Sequence, residues 1–134
     1  MPTIRLLLVD PNEIFIQDVQ SALDSQQEIR LVAYSTSIQD ILSLCAEKTP
    51  HIIMIGQLDS DSLDIIRALR RQHPESRIIS ITNQIDADHA RQHLNAGVIG
   101  YLLQNDVLLS LSDSIVTAYQ GKTIISTEIT RALL

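Results

Sequence analysis

Five short apolar runs, separated by amphipathic stretches, constrain the fold of this chain more than any other feature. The runs consist almost entirely of Ile, Leu and Val and hardly alternate with polar residues; they cover residues 4–9, 29–34, 52–55, 78–82 and 98–103. A strand that is buried on both faces has this composition, and such strands are typical of a parallel sheet covered by helices on both sides.

The stretches between the runs carry apolar residues at helical spacing, as Phe15, Val19 and Leu23 do in the first of them. Helix-ending signals follow, with His73-Pro74 after the third stretch and Gly97 after the fourth. The fifth helix is marked by Leu108, Leu111, Ile115 and Tyr119 and is closed by Gly121. With right-handed crossovers, this alternation predicts an α/β fold, a (βα)5 doubly wound parallel sheet in a three-layer sandwich with strand order 2-1-3-4-5.

The length of 134 residues leaves room for one domain. We assign residues 1–121 to this domain, because the five-fold pattern ends there. Residues 122–134 contain a short apolar piece and a predicted helical turn or two, and we interpret them as a C-terminal extension or the start of a linker.

Composition excludes several classes of protein. The formal charge is -6, which argues against nucleic-acid binding by this segment, because phosphate contacts need clustered positive charge. One cysteine excludes an internal disulfide and a cysteine-based zinc site. No apolar run approaches the roughly 20 residues of a membrane span, and the N-terminus lacks the features of a secretion signal, so we expect a cytoplasmic protein without membrane contact. The turn after the first run, beginning Asp10-Pro11, has no glycine-rich phosphate loop, which disfavours a nucleotide- or flavin-binding enzyme.

Function in a doubly wound sheet lies at the carboxyl ends of the strands. The sequence at these ends resembles the receiver domain of response regulators of the NarL/LuxR type, which have the flavodoxin-like, CheY-like sandwich. The resemblance covers the whole chain and rests on IRLLLVDPNEIF, RIISIT, HLNAGVIGYLLQND (compare the family's AGAxGYLLK) and AYQGKTIISTEITRALL. It implies a role in two-component, phosphorelay signal transduction and transcription regulation. The last segment resembles the tail that leads to a helix-turn-helix domain, which would lie outside this chain.

The resemblance also implies a chemistry. In receivers an Asp after the third strand accepts a phosphoryl group as nucleophile. Two acidic residues after the first strand help to hold Mg²⁺. A Lys after the fifth strand and a Thr or Ser after the fourth contact the phosphoryl group, and a Tyr or Phe in the fifth strand changes its packing.

This chain matches only part of that set. Asp10, Thr82 and Tyr101 stand at receiver positions. At the three other positions the required side chain is missing: Gly56 replaces the nucleophile, Gln104 the Lys and Pro11 the second acidic residue. We therefore predict a degenerate receiver, or pseudo-receiver, that is not an enzyme, has no catalytic residue and no metal ligand set, and has lost or weakened its Mg²⁺ site.

Alternative interpretations accompany this prediction. Asp10 more often caps the next helix, a role that Asn12 would share, than binds a cation. A displaced Asp59 or Asp61 on the loop after Gly56 is an alternative phosphoacceptor, and a stand-alone interaction domain is another alternative function.

Further side chains have a functional and a structural interpretation. His89 and His93 have the spacing of a metal-binding pair, but we expect them on an exposed helix face. In the structural interpretation, the Thr82 hydroxyl only forms hydrogen bonds with backbone groups at the end of its strand. Tyr101 is alternatively half-buried, with its hydroxyl in water.

We expect the chain to act through protein partners. Ile16, Leu109 and Val116 lie off the main apolar stripes of their helices, so they mark a candidate homodimer face. A sensor kinase or another protein is a further candidate partner. Any DNA contact would require the helix-turn-helix domain that this chain does not include.

Overall fold

A parallel sheet forms the centre of the molecule. The computed structural model describes residues 3–57 and 63–134, and within them the strands follow the order β2-β1-β3-β4-β5-β6, every neighbouring pair parallel. The strands are β1 (Ile4–Val9), β2 (Ile29–Ser35), β3 (Ile52–Gly56), β4 (Arg77–Thr82), β5 (Gly100–Leu103) and β6 (Ile124–Ile125). The predicted α/β sandwich and strand order are confirmed, and the described sheet has six strands rather than five.

The helices alternate with the strands. They are α1 (Glu13–Leu23), α2 (Ile41–Lys48), α3 (Leu63–Gln72), α4 (Ala87–Ala96), α5 (Gln104–Leu109), α6 (Leu111–Tyr119) and α7 (Thr127–Leu133). The prediction of a single fifth helix is wrong, because Ser110, with φ -137° and ψ 38°, separates α5 from α6. The Ser110 hydroxyl donates to the Asp106 carbonyl at 2.9 Å, a local bond of the kind that competes with a regular helix. In the described part of the chain no helix is long and apolar enough to span a bilayer.

Two apolar cores lie on opposite faces of the sheet. Leu6 and Leu8 pack with residues of α1 and α6, whereas Leu7 and Val9 point the other way, towards α2 and α3. This alternation follows from the pleat of a strand, and burial on both faces explains why the runs are continuously apolar.

The C-terminal residues continue the sheet. The Ile124 amide donates to the Ile99 carbonyl at 3.0 Å, which adds β6 to the edge beside β5. Helix α7 then packs against α4 and β5, with Ile129 fully buried. The domain boundary after residue 121 remains a prediction.

Candidate functional site

The carboxyl ends of β1, β3 and β4 bring the predicted site positions together. Val9 pairs with Ile55 and Gly56 pairs with Ile81, so Asp10, Gly56 and Thr82 lie at the same edge of the sheet. This is the edge at which doubly wound folds place their functional residues.

The Asp10 carboxyl group fills the space beside Gly56. A Cβ atom added to Gly56 would lie 1.7 Å from Asp10 Oδ2 and 2.7 Å from its Cγ. Non-bonded carbon and oxygen atoms cannot approach so closely. Position 56 therefore accommodates no side chain while Asp10 keeps this conformation, and the missing side chain of Gly56 is what makes the conformation possible.

Asp10 is fully buried, and only one of its two carboxyl oxygens has a hydrogen-bond partner. Its Oδ1 accepts a hydrogen bond from the Asn12 amide at 2.8 Å, and its Oδ2 has no hydrogen-bond partner. Burial raises the pKa of this carboxyl group above its ordinary value, and the hydrogen bond from the Asn12 backbone opposes the rise.

The alternative in which Asp10 and Asn12 share the cap of the next helix is wrong for Asp10 and confirmed for Asn12. Asn12 is the cap of α1, because its Oδ1 accepts from the amides of Ile14 at 3.0 Å and Phe15 at 3.2 Å. The Asp10 side chain instead accepts a hydrogen bond from the Asn12 backbone amide and fixes the turn that precedes α1. Pro11, exposed between them, offers neither a carboxylate nor a backbone donor.

The residues described at this corner fit Mg²⁺ poorly. The ion requires near-octahedral coordination and prefers carboxylates and water. Asp10 supplies one carboxylate there, while Gly56 and Pro11 supply none. In residues 3–57 and 63–134 no group of three or more His, Cys, Asp or Glu side chains is arranged to hold a metal ion.

A second polar cluster lies between β4, β5 and α4. The His93 ring pairs through Nδ1 with the Ser80 hydroxyl at 2.7 Å, and the His89 ring pairs through Nδ1 with the Tyr101 hydroxyl. The centroids of the two imidazoles lie 4.1 Å apart, with the ring planes tilted by 37°. The expectation that His89 and His93 lie on an exposed face is wrong, because the spacing of four residues that aligns them also turns both towards Ser80 and Tyr101.

His93 is the more deeply buried of the two histidines in the cluster. Only 1% of His93 is exposed to solvent, and its Nε2 atom has no hydrogen-bond partner. Burial lowers the pKa of His93 to about 4, and the charge of His89 acts in the same direction. The ring is therefore neutral at physiological pH.

Tyr101 is fully buried, which contradicts the alternative of a half-buried ring with its hydroxyl in water. Burial raises the pKa of the phenol, the hydrogen bond with Thr82 lowers it, and the negative charge of Asp86 raises it. The Thr82 hydroxyl also accepts from the Gln84 amide at 3.2 Å, so Thr82 satisfies backbone groups and contacts Tyr101.

Sequence reasoning missed Ser80 and Asp86 as members of this cluster. Ser80 is a polar residue inside an otherwise apolar strand, and a buried hydroxyl requires a hydrogen-bond partner. That feature was a usable signal for a buried partner such as His93. Asp86 carries no comparable signal, because its sequence position indicates only the cap of α4, a role that its side chain fulfils.

The remaining predicted residues are dispersed. Gln104 begins α5 and lines a groove of about 260 Å³ with Asn83, Ile85 and Asp106. Asp59 and Asp61, the alternative phosphoacceptors of the prediction, lie outside the described residues.

The three residues of the predicted dimer face differ in exposure. Leu109 is 85% exposed, and Val116 packs partly against the core. The expectation that Ile16 is exposed is wrong, because its side chain is buried in the core on the α1 side of the sheet. Whether copies of the chain associate through the other two residues stays a prediction.

Comparison with known proteins finds response regulators that are similar in sequence to this chain. The chain is 23% identical over 128 residues to the response regulator protein VraR of Staphylococcus epidermidis, an alignment that covers 94% of this chain and 61% of the relative. VraR of Staphylococcus aureus (strain NCTC 8325) is 23% identical over 129 residues, covering 95% and 62%. The chain thus spans about three fifths of the length of the curated relatives it matches. No family model matches the chain.

Solved structures share the fold at low identity. The isolated receiver domain of RcsB from Salmonella enterica serovar Typhimurium, with the phosphomimetic BeF3-, superposes with a TM-score of 0.86 at 14% identity, over 98% of this chain and 99% of that one. This chain has the fold of a response-regulator receiver domain. A LuxR-family response regulator from Aurantimonas sp. SI85-9A1 gives a TM-score of 0.87 at 22% identity, over 98% and 95% of the two chains.

Proposed function

We propose that this chain is the receiver module of a LuxR-type response regulator that signals without phosphorylation at the usual position. The main observation behind the proposal is the position of Asp10 Oδ2. This atom lies 1.7 Å from the point that a Cβ atom of residue 56 would occupy. A phosphoacceptor needs a carboxylate that an incoming phosphoryl group can reach. Gly56 has none, and the Asp10 carboxyl group beside it is fully buried.

Electrostatics at the same corner supports the proposal. Phosphoryl transfer needs cations to offset the charge that develops on the phosphoryl oxygens. Gln104 stands where the resembling family has Lys and supplies no charge, and Pro11 removes a metal ligand. The nucleophile, the fixed cation and the second acidic residue are thus replaced together, which fits the loss of one function better than three unrelated substitutions.

The polar cluster around Tyr101 supports a retained signalling role. Ser80, Thr82, His89, His93 and Tyr101 keep hydrogen-bonded contacts between β4, β5 and α4. Such a cluster is able to link the packing of three elements without a bound phosphoryl group.

We propose that the module works through protein contacts. One of the structures that share its fold is described as two RcsB dimers bound to two parallel DNAs. For this chain we propose homodimerisation through the face around Leu109, which is 85% exposed. Any contact with DNA would belong to a separate domain, because the chain carries a net charge of -6.

Incubation with acetyl phosphate and Mg²⁺, read by intact mass, tests the loss of phosphorylation. We expect no added phosphoryl group on the wild-type chain, whereas a receiver with an intact nucleophile, treated in parallel, gains one. Gly56→Asp is also expected to remain unmodified, because Asp10 occupies the space that the new side chain needs.

Two matched variants identify a displaced acceptor. A phosphoryl group that appears on the wild-type chain and disappears in Asp59→Asn or Asp61→Asn would contradict the proposal. The adduct would then be assigned to Asp59 or Asp61.

A further inference from the structure

Two adjoining grooves border α5. The first, of about 260 Å³, lies between the β4–α4 connection and the start of α5. The second, of about 250 Å³, lies between α5, β6 and the start of α7. Asp106 of α5 and Glu128 of α7 line both grooves. The two grooves therefore form one continuous depression, which we call the α5 groove, and two carboxyl groups lie where its halves meet.

The carboxylates of Asp106 and Glu128 have no internal counter-charge in the part of the chain that the structure describes. The ion pairs found there involve Glu47, Asp64 and Asp88. Neither Asp106 nor Glu128 accepts a hydrogen bond through its side chain from a described residue, and no described Lys or Arg lines the α5 groove. Because the whole chain carries a net charge of -6, a cation is the ligand that this groove favours.

Neutral hydrogen-bonding groups extend from the carboxylates into both halves of the groove. The first half adds three carboxamides, those of Asn83, Gln104 and Asn105. The second half adds four hydroxyl groups, those of Ser110, Ser114, Ser126 and Thr127. An ammonium group only donates hydrogen bonds, and carboxylate, carboxamide and hydroxyl oxygens all accept them. The α5 groove thus offers acceptors for ammonium groups at several points along its length.

Apolar side chains lie beside these polar groups. Ile85 is 57% exposed at the first half, where Leu103 is half-buried. Ile124 and Ile125 are half-buried at the second half. Methylene groups that cover such side chains remove apolar surface from water, which favours binding. The lining therefore matches a ligand in which ammonium groups alternate with short methylene chains.

We propose that the α5 groove binds a linear aliphatic polyamine. One ammonium group pairs with Asp106 and Glu128, and the others donate to the carboxamides and hydroxyl groups on either side. Mg²⁺ fits less well, because it requires near-octahedral oxygen coordination, and the described residues contain no group of three or more His, Cys, Asp or Glu arranged for a metal ion. The proposal is independent of the chemistry at the phosphoacceptor position, because Asp10 and Gly56 line neither half of the groove.

Isothermal titration calorimetry of the full chain with spermidine tests the site. We expect saturable binding of a single molecule per chain. Butylamine, which has one ammonium group, should bind at least about tenfold more weakly at equal ionic strength, because it leaves the outer acceptors unused. Asp106→Asn and Glu128→Gln should each raise the Kd for spermidine at least about fivefold.

Asp113→Asn is the matched control for these two variants. It removes the same charge from an exposed position on α6 that lines neither half of the groove. The Kd for spermidine should stay within about twofold of the wild-type value, because an exposed distant charge is screened by salt. Equal weakening in all three variants would show diffuse attraction to a negative chain and would overturn the assignment of the site.

Gln104→Lys tests the site from the opposite direction. The new side chain places a tethered ammonium group in the groove and should weaken spermidine binding at least about tenfold. Unchanged affinity in this variant would overturn the proposal, as would displacement of spermidine by an equal concentration of Mg²⁺. Misfolding of a variant does not obscure the outcome, because the comparison of spermidine with butylamine uses the wild-type chain. Equal affinities for these two amines, or no saturable binding of spermidine, would also overturn the proposal.

Discussion

The Asp10–Gly56 corner and the histidine cluster under α4 contain the two buried side-chain atoms that lack a hydrogen-bond partner in the described residues, Asp10 Oδ2 and His93 Nε2. At the corner, one carboxyl group stands where several groups would meet in a receiver. In the cluster, His93 is one of several polar side chains that remain in contact. The difference supports our proposal of signalling without phosphorylation at the usual position, because a polar link between strands and helix is present while the corner holds one carboxyl group.

The two regions also respond to pH in opposite directions. Burial raises the pKa of Asp10 and lowers the pKa of His93, because in both cases it disfavours the charged form. Protonation of Asp10 therefore relieves a cost of folding, whereas protonation of His93 introduces one. Each region can be tested by removing its titrating group.

The largest expected effect is an acid destabilisation caused by His93. The pKa of His93 is about 4 in the folded chain, below the ordinary histidine value of 6.5, so the unfolded chain takes up the proton first. Stability is then lost as the pH falls from about 6.5 to about 4, by about 3 kcal/mol in total. Urea unfolding at a series of pH values should show this slope in the wild-type chain and not in His93→Asn.

His73→Asn is the control for the His93 experiment, since His73 lies just after α3 and is not part of the buried cluster around His93. It should keep the slope of the wild-type chain. An equal acid slope in His93→Asn would show that other groups cause the destabilisation.

The second largest expected effect is the loss of stability when a side chain is added at Gly56. Gly56→Ala should lower the free energy of unfolding by about 2 kcal/mol, because its Cβ collides with the Asp10 carboxyl group. In an Asp10→Ala background the same substitution should cost much less, since the colliding Oδ2 and Cγ atoms are gone. A double-mutant cycle by chemical denaturation measures the difference. Equal costs in both backgrounds would contradict the filled corner.

The third effect concerns the charge of Asp10. Because its folded pKa is raised, the neutral acid favours folding, and this contribution is lost as the pH rises through the folded pKa. Asp10→Asn should therefore stabilise the chain by about 1 kcal/mol at pH 7. The gain should vanish below the ordinary aspartate pKa of 3.8, where wild-type Asp10 is neutral in the folded and the unfolded chain. Unfolding curves at pH 7 and pH 3.5 provide the measurement, and a gain that persists at the lower pH would contradict this explanation.

The sequence predicted the five main strands and their order, because runs buried on both faces leave a clear apolar pattern. It did not predict β6, since Ile124 and Ile125 are too short a run to show a period. The break at Ser110 depends on local hydrogen bonds that the apolar spacing of the predicted fifth helix does not reveal.

For the site, the sequence predicted that Asp10, Gly56 and Thr82 follow or end neighbouring strands, and it did not predict that the Asp10 side chain fills the space beside Gly56. The side chain of Asp10 turns into a space that exists only because Gly56 lies on the neighbouring strand. His89 and His93 face inward because Ser80 on β4 and Tyr101 on β5 form hydrogen bonds with them. Both outcomes depend on contacts between residues distant in sequence, which the residue pattern of one element does not encode.

The smallest expected effect tests the electrostatic link inside the cluster. The negative charge of Asp86 raises the pKa of Tyr101, so Asp86→Asn should lower that pKa. Stability should change by only a few tenths of a kcal/mol, since Asn caps a helix about as well as Asp. Carbon-13 NMR of labelled tyrosine follows the ionisation of Tyr101 directly. Asp88→Asn, which removes a neighbouring acid paired with Arg91 at 3.0 Å, is the control; an equal shift in both variants would mean that the effect reflects net charge and not the position of Asp86.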